Sequence, residues 1–99
     1  MAQCDLFVLT DGGSLVVDIQ SDLIEDFESR VVIPLVSAQT SPRRISRLHP
    51  EIQWNGKTYT LATHLMATLP ATLLKEPVGN LVGDRDRIVA AIDMLITGV

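Results

Sequence analysis

Apolar and polar positions alternate with short periods over most of this chain and change rhythm only at its end. Residues 6–9 form a short apolar run cut by Thr10-Asp11-Gly12-Gly13, a turn signal, and residues 15–19 resume it, so the pair reads as a β-hairpin. Residues 20–29 are polar except for Leu23, Ile24 and Phe27, as in a surface connection. Residues 30–36 predict the next strand, with Pro34 placing it at an edge or bulge because proline lacks the amide a ladder needs. Residues 39–50, with Pro42, Pro50 and three arginines, read as a loop. Asn55-Gly56 then has the left-handed preferences of a type I′ turn. Pairing across it sets Trp54 opposite Lys57 and Ile52 opposite Tyr59, and leaves Glu51, Gln53, Thr58 and Thr60 on a face open to water. Residues 63–67 fit a helical turn or a bulged strand equally well.

From Asp86 the period becomes 3.6. Ile88, Ala91, Ile92, Leu95 and Ile96 make one apolar stripe, which predicts a C-terminal amphipathic helix. Asp84 suits its N-cap, and Gly98 the left-handed residue past its end, with Val99 folding back on Met94. The expected fold class is mainly β with one C-terminal helix, built as one domain over residues 1–99.

Composition narrows the function classes. The chain is 46% apolar and 20% charged, which argues for a packed core. It holds no apolar run of the ~18 residues a membrane span needs, and its acidic N-terminus is wrong for a signal peptide, so a cytoplasmic protein with no membrane partner is expected. Cys4 is the only cysteine, which excludes an internal disulfide and a thiolate metal site; it reads as a small hydrophobe on the first strand.

The net charge of −4 is polarised: residues 1–28 carry seven acidic groups and no Lys or Arg, whereas residues 29–99 carry eight basic and five acidic ones. General nucleic-acid affinity is not expected from this balance; Arg43, Arg44 and Arg47 form the one candidate basic patch.

Candidate chemistry is sparse. His49 and His64 stand fifteen residues apart with no ligand-like spacing, so each reads as an exposed or structurally hydrogen-bonded histidine. The carboxylates from Asp18 and Asp22 to Glu25, Asp26 and Glu28 read as a solvated acidic loop, with one exception. Asp18 interrupts an apolar strand, and either caps the turn at Gln20-Ser21 or faces water. There is no phosphate loop and no nucleophile elbow. An RNA-cleaving set would draw on Arg43, Arg44, Arg47, His49 and Glu51, all close together in one region of the chain. No cofactor, metal or catalytic site is expected.

The stretch LVVDIQSDLIEDFESRVVIPLVS, residues 15–37, resembles the CcdB family of toxins, and IVAAIDMLITGV, residues 88–99, resembles that family's last helix and tail. The segment between, EIQWNGKTYTLATHLMATLPATLLKEPV, fits in length and in its strand–turn–strand order. The resemblance implies an SH3-like barrel or antiparallel sheet of the CcdB type, with a small additional sheet, in a homodimer. It further implies a toxin neutralised by a cognate antitoxin, the complex repressing its own operon. The implied target is the A subunit of DNA gyrase, trapped on cleaved DNA without catalysis by the toxin. By position, the gyrase-contacting residues implied are Leu23, Ile24, Asp93, Ile96, Thr97, Gly98 and Val99. Thr97 stands where the best-known member has Trp, and Asp93 where it has Asn. The alternatives are an mRNA-cleaving toxin of related fold and a homologue that binds only antitoxin.

Overall fold

A computed structural model describes residues 2–10, 12–24, 26–38 and 45–98. Asp11, Glu25, Arg43, Arg44 and Val99, each part of an expectation above, lie outside the described residues. Within them the chain forms β1 (Asp5–Val8), β2 (Leu15–Asp18), β3 (Ser29–Ser37), β4 (Glu51–Trp54), β5 (Lys57–Leu61), β6 (Ala67–Pro70), β7 (Gly79–Asn80) and α1 (Arg85–Thr97). Short 3-10 turns occupy Asp22–Ile24, Thr63–Leu65, Ala71–Leu73 and Val82–Asp84. The strands form one antiparallel sheet in the order β4-β5-β3-β2-β1-β7, with β6 also beside β3.

Both faces of the middle strands are buried, which is why β2 reads as a continuous apolar run instead of alternating. Leu15 and Val17 join Leu6, Ile33, Ile52 and Leu61 on one side, under Ile88 and Ala91 of α1. Val16 joins Phe7, Val32 and Leu74 on the other.

Pro34 does not mark an edge. β3 is central, pairing with β2 along one side and, along the other, with β6 through Val32 and β5 from Leu35. The Pro34 carbonyl accepts from Ala62 N–H on that second side, so the missing amide falls in the gap where β3 changes partners. A central strand tolerates proline there because no ladder bond is lost.

The Asn55-Gly56 turn has φ of 52° and 76°, and its hairpin pairs Trp54 with Lys57 and Ile52 with Tyr59, the register expected. Its second face is only partly wet: Gln53 is exposed, but Thr60 is buried because β3 flanks β5 at that end. The ambiguous segment after it resolves into the turn Thr63–Leu65 followed by β6.

The expected SH3-like barrel or antiparallel sheet of the CcdB type, with a small additional sheet, is corrected to one open, curled sheet. Its terminal strands β4 and β7 do not pair. They approach each other side chain to backbone: a Cβ on Gly79 would lie 2.7 Å from Trp54 Nε1. The indole fills the seam, and β7, two residues long and paired to β1, offers no ladder to close it. Arg87 of α1 ties the same seam by donating from Nη2 to the Glu51 carbonyl at 2.7 Å.

The helix follows its stripe until the last turn. Ile88 and Ala91 are buried, whereas Leu95 is half-exposed and Ile96 is 73% exposed. Gly98, at φ 78°, donates its amide to the Met94 carbonyl at 3.0 Å, the expected left-handed stop. Asp84 does not cap with its side chain; its Oδ1 accepts from Arg87 Nη1 at 3.0 Å. Among the described residues no helix is long and apolar enough to cross a membrane.

Candidate active site

Asp18, the carboxylate that breaks an apolar strand, is fully buried. Its Oδ1 accepts the Gln20 amide at 3.0 Å, and its Oδ2 meets Arg30 Nε at 2.8 Å and Nη2 at 2.7 Å. Gln20, also buried, accepts Val31 N–H on its amide oxygen and donates from Nε2 to the Ile24 carbonyl. This network anchors the 3-10 turn Asp22–Ile24 to the sheet. Neither charge reaches solvent, so the pair is scaffolding and not acid–base machinery.

The two histidines form a second cluster of titratable groups, and this one reaches the surface. The β4–β5 ladder continues one step past its strands, Leu61 N–H donating to the Pro50 carbonyl. His49 therefore enters the hairpin beside the residues that leave it, and the turn Thr63–Leu65 brings His64 alongside. His49 Nε2 lies 2.8 Å from His64 Nδ1, with the rings edge to face at a centroid separation of 4.8 Å. His49 is buried and His64 exposed.

The His49 ring is also held from behind. Residues 45–49 form one helical turn in which His49 N–H donates to the Ile45 carbonyl at 2.7 Å. In return Ile45 N–H donates to His49 Nδ1 at 3.0 Å. Arg47 stands exposed on that same turn, and Glu51 begins β4 two residues beyond His49. The result is a surface imidazole fixed by a buried one, with a cation and a carboxylate on adjoining backbone. Such an arrangement can orient a phosphate or share a proton with it.

Sequence spacing hid this pair. Fifteen residues is no helical or strand interval, but the hairpin register that sets Trp54 against Lys57 also sets residue 49 opposite 62, two short of His64. Extending that register outward is the signal that finds it.

The other candidates are dispersed. Leu23 is 95% exposed and Ile24 42% on the turn Asp22–Ile24, while Asp93, Ile96, Thr97 and Gly98 are exposed at the end of α1. Thr97 Oγ1 donates back to the Asp93 carbonyl at 2.7 Å. Cys4 is buried ahead of β1 with φ 72°, and burial raises its thiol above the ordinary 9.0, against the lowering charge of Arg85. Two open hollows, about 550 Å³ beside Ser37 and Lys57 and about 750 Å³ beside Glu28 and Thr68, include neither histidine. Among the described residues no three His, Cys, Asp or Glu side chains group to hold a metal ion.

A family described as CcdB protein matches residues 7–98, and the chain belongs to that family. Its fold is shared with the solved structures of an endoribonuclease and of a toxin. An endoribonuclease in complex with its cognate antitoxin, from a Mycobacterial species, superposes with a TM-score of 0.77 at 12% identity, over 95% of this chain and 92% of that one. The Mycobacterium tuberculosis toxin MazF-mt6 superposes with a TM-score of 0.70 at 14% identity, over 90% and 92%.

These matches correct what the CcdB resemblance implied. The curled sheet and single helix are those of MazF-like toxins, and not a fold peculiar to the gyrase-poisoning CcdB type. The expected gyrase A partner, the topoisomerase-poison activity, the exclusion of catalysis and the lack of a nucleic-acid substrate are withdrawn with it.

Proposed function

We propose that this chain is the toxin of a toxin–antitoxin module and that it cleaves single-stranded RNA. The observation that carries this reading is the exposed His64 imidazole locked at 2.8 Å to buried His49, on a fold shared with RNA-cleaving toxins. An RNA strand carries its own nucleophile. Attack of a 2′-oxygen on the adjacent phosphorus forms the P–O2′ bond and breaks P–O5′. The protein must then accept the 2′-hydroxyl proton, see O5′ protonated and stabilise charge on the phosphoryl oxygens. His64 meets the phosphoryl group in this reading, Arg47 supplies the neighbouring cation, and Glu51 is the carboxylate assigned to take the 2′ proton. A shallow surface of this kind suits a single strand, whose backbone can bend to reach it.

The whole of residues 1–99 acts as one cytoplasmic domain in this account, held in check by a cognate antitoxin. The exposed Leu23 and Ile24 on the 3-10 turn, and Ile96 with Asp93, Thr97 and Gly98 at the end of α1, are proposed as contacts for that antitoxin, separate from the histidines.

Induction in bacteria tests the reading. Growth arrest with fragmented mRNA on expressing the chain, and neither on expressing a folded His64→Ala variant, supports it. Arrest with intact RNA, or fragmentation by both proteins alike, removes it.

A further inference from the structure

A backbone amide can only donate, so the 3.0 Å contact from Ile45 N–H makes His49 Nδ1 an acceptor. A neutral imidazole carries one proton, and that of His49 therefore sits on Nε2, where it donates across 2.8 Å to His64 Nδ1. His64 Nδ1 is in turn an acceptor, which leaves the His64 proton on Nε2. That nitrogen belongs to an exposed residue and has no partner among the described residues.

The order is fixed at its buried end. Reversing it would put a proton on His49 Nδ1, facing the Ile45 amide donor, inside a turn that His49 N–H also closes onto the Ile45 carbonyl. Adding a second proton to His64 would set two N–H groups against each other between the rings. The tie holds only while both imidazoles are neutral and point the same way.

We propose that the His49–His64 pair is a donor of fixed polarity, presenting the neutral His64 Nε2–H to a phosphoryl oxygen of a nucleic-acid backbone. This rests on the proposed RNA-directed function for its ligand, but assigns His64 a narrower role than acid or base. It stabilises charge on a non-bridging oxygen without giving up its proton, as a neutral imidazole with a pinned tautomer can. His49 is a positioning residue, acting through His64, and the Ile45 amide sets the direction. Proton removal from the 2′-hydroxyl and delivery to O5′ fall to other groups and to water.

Long-range ¹⁵N–¹H correlation spectra of histidine-labelled protein, near neutral pH, read each ring's tautomer directly. The expected spectrum has both residues protonated at Nε2 alone. A single-stranded DNA oligonucleotide, which lacks the 2′-hydroxyl and is not cleaved by this chemistry, then serves as the backbone probe. Its addition moves the His64 Nε2 resonance while Nδ1 stays unprotonated. Two variants separate the parts: His49→Gln keeps a donor near the Nε2 position and preserves the His64 tautomer, whereas His49→Asn reaches only the Ile45 end and leaves His64 a mixture of tautomers.

A proton on Nδ1 of either ring in the native protein, or a His64 signal indifferent to the oligonucleotide, overturns the proposal. So does an unchanged His64 tautomer in His49→Asn. These readouts need no turnover, so a protein that binds the DNA probe as described but leaves RNA intact refutes the RNA-cleaving function and spares this assignment.

Discussion

Asp18 and Arg30 are fully buried and face each other across β2 and β3, an arrangement in which the loss of one partner weighs more than the pair's net contribution. Asp18→Ala takes a buried carboxylate from the Arg30 guanidinium and is expected to cost about 3–5 kcal/mol. The urea midpoint, read with an unchanged m-value, measures it. The apolar double replacement Asp18→Leu with Arg30→Met recovers most of that loss; an equal loss in the double variant contradicts the argument. Asp18 was partly legible in the sequence, because a carboxylate inside an apolar run must find donors, and the Gln20 amide is one of the two outcomes open to it. Arg30 was not, since its role depends on a cross-strand register. Cys4 gives a second residue-scale test. Burial holds its thiol above the ordinary 9.0, so the folded state keeps a proton that the unfolded state has lost. Stability from this group is constant below that value and falls as pH rises past it. Iodoacetamide is therefore expected to label Cys4 much more slowly in the native protein than in urea, and equal rates contradict the burial.

At the scale of elements, the seam between β4 and β7 replaces the closing ladder of a barrel. A methyl group on Gly79 would sit 2.7 Å from Trp54 Nε1, and the indole is a rigid ring at the edge of a packed core. Gly79→Ala is expected to cost about 1–3 kcal/mol, measured by thermal or urea unfolding. The same change made in a Trp54→Phe background costs less, because the clashing atom is gone; full additivity of the two changes refutes the contact. The β4–β5 hairpin and the terminal helix were legible because their signals are local: an Asn-Gly turn, a 3.6-residue stripe and a glycine stop. Pro34 misled because the sequence shows a missing donor but not that β3 changes neighbours there. The seam was illegible for a related reason: Trp54 and Gly79 meet only after the whole sheet has curled.

For the molecule as a whole, the working surface is a consequence of the same curl and register. Residues 45–49 and 63–65 belong to separate turns, and the hairpin between them makes one site of two histidines that look unrelated in the chain. The strings V-D-I-Q-S-D and V-I-P-L lie in the stretch that resembled the CcdB family, whose model matches residues 7–98. The activity they suggested did not follow, because these strings lie in the scaffold strands and the buried Asp18–Gln20 network. A fold common to toxins of different action is kept by such residues, and they do not report what its surface does. Cleavage depends on His64 in the proposed function. Purified protein incubated with a single-stranded RNA, beside a His64→Ala variant of unchanged unfolding temperature, tests it most directly. The native chain is expected to cleave the RNA, and the variant to lose on the order of 10²-fold or more, the scale of one lost charge-stabilising donor. Intact RNA with the native protein, or equal cleavage by both, contradicts it.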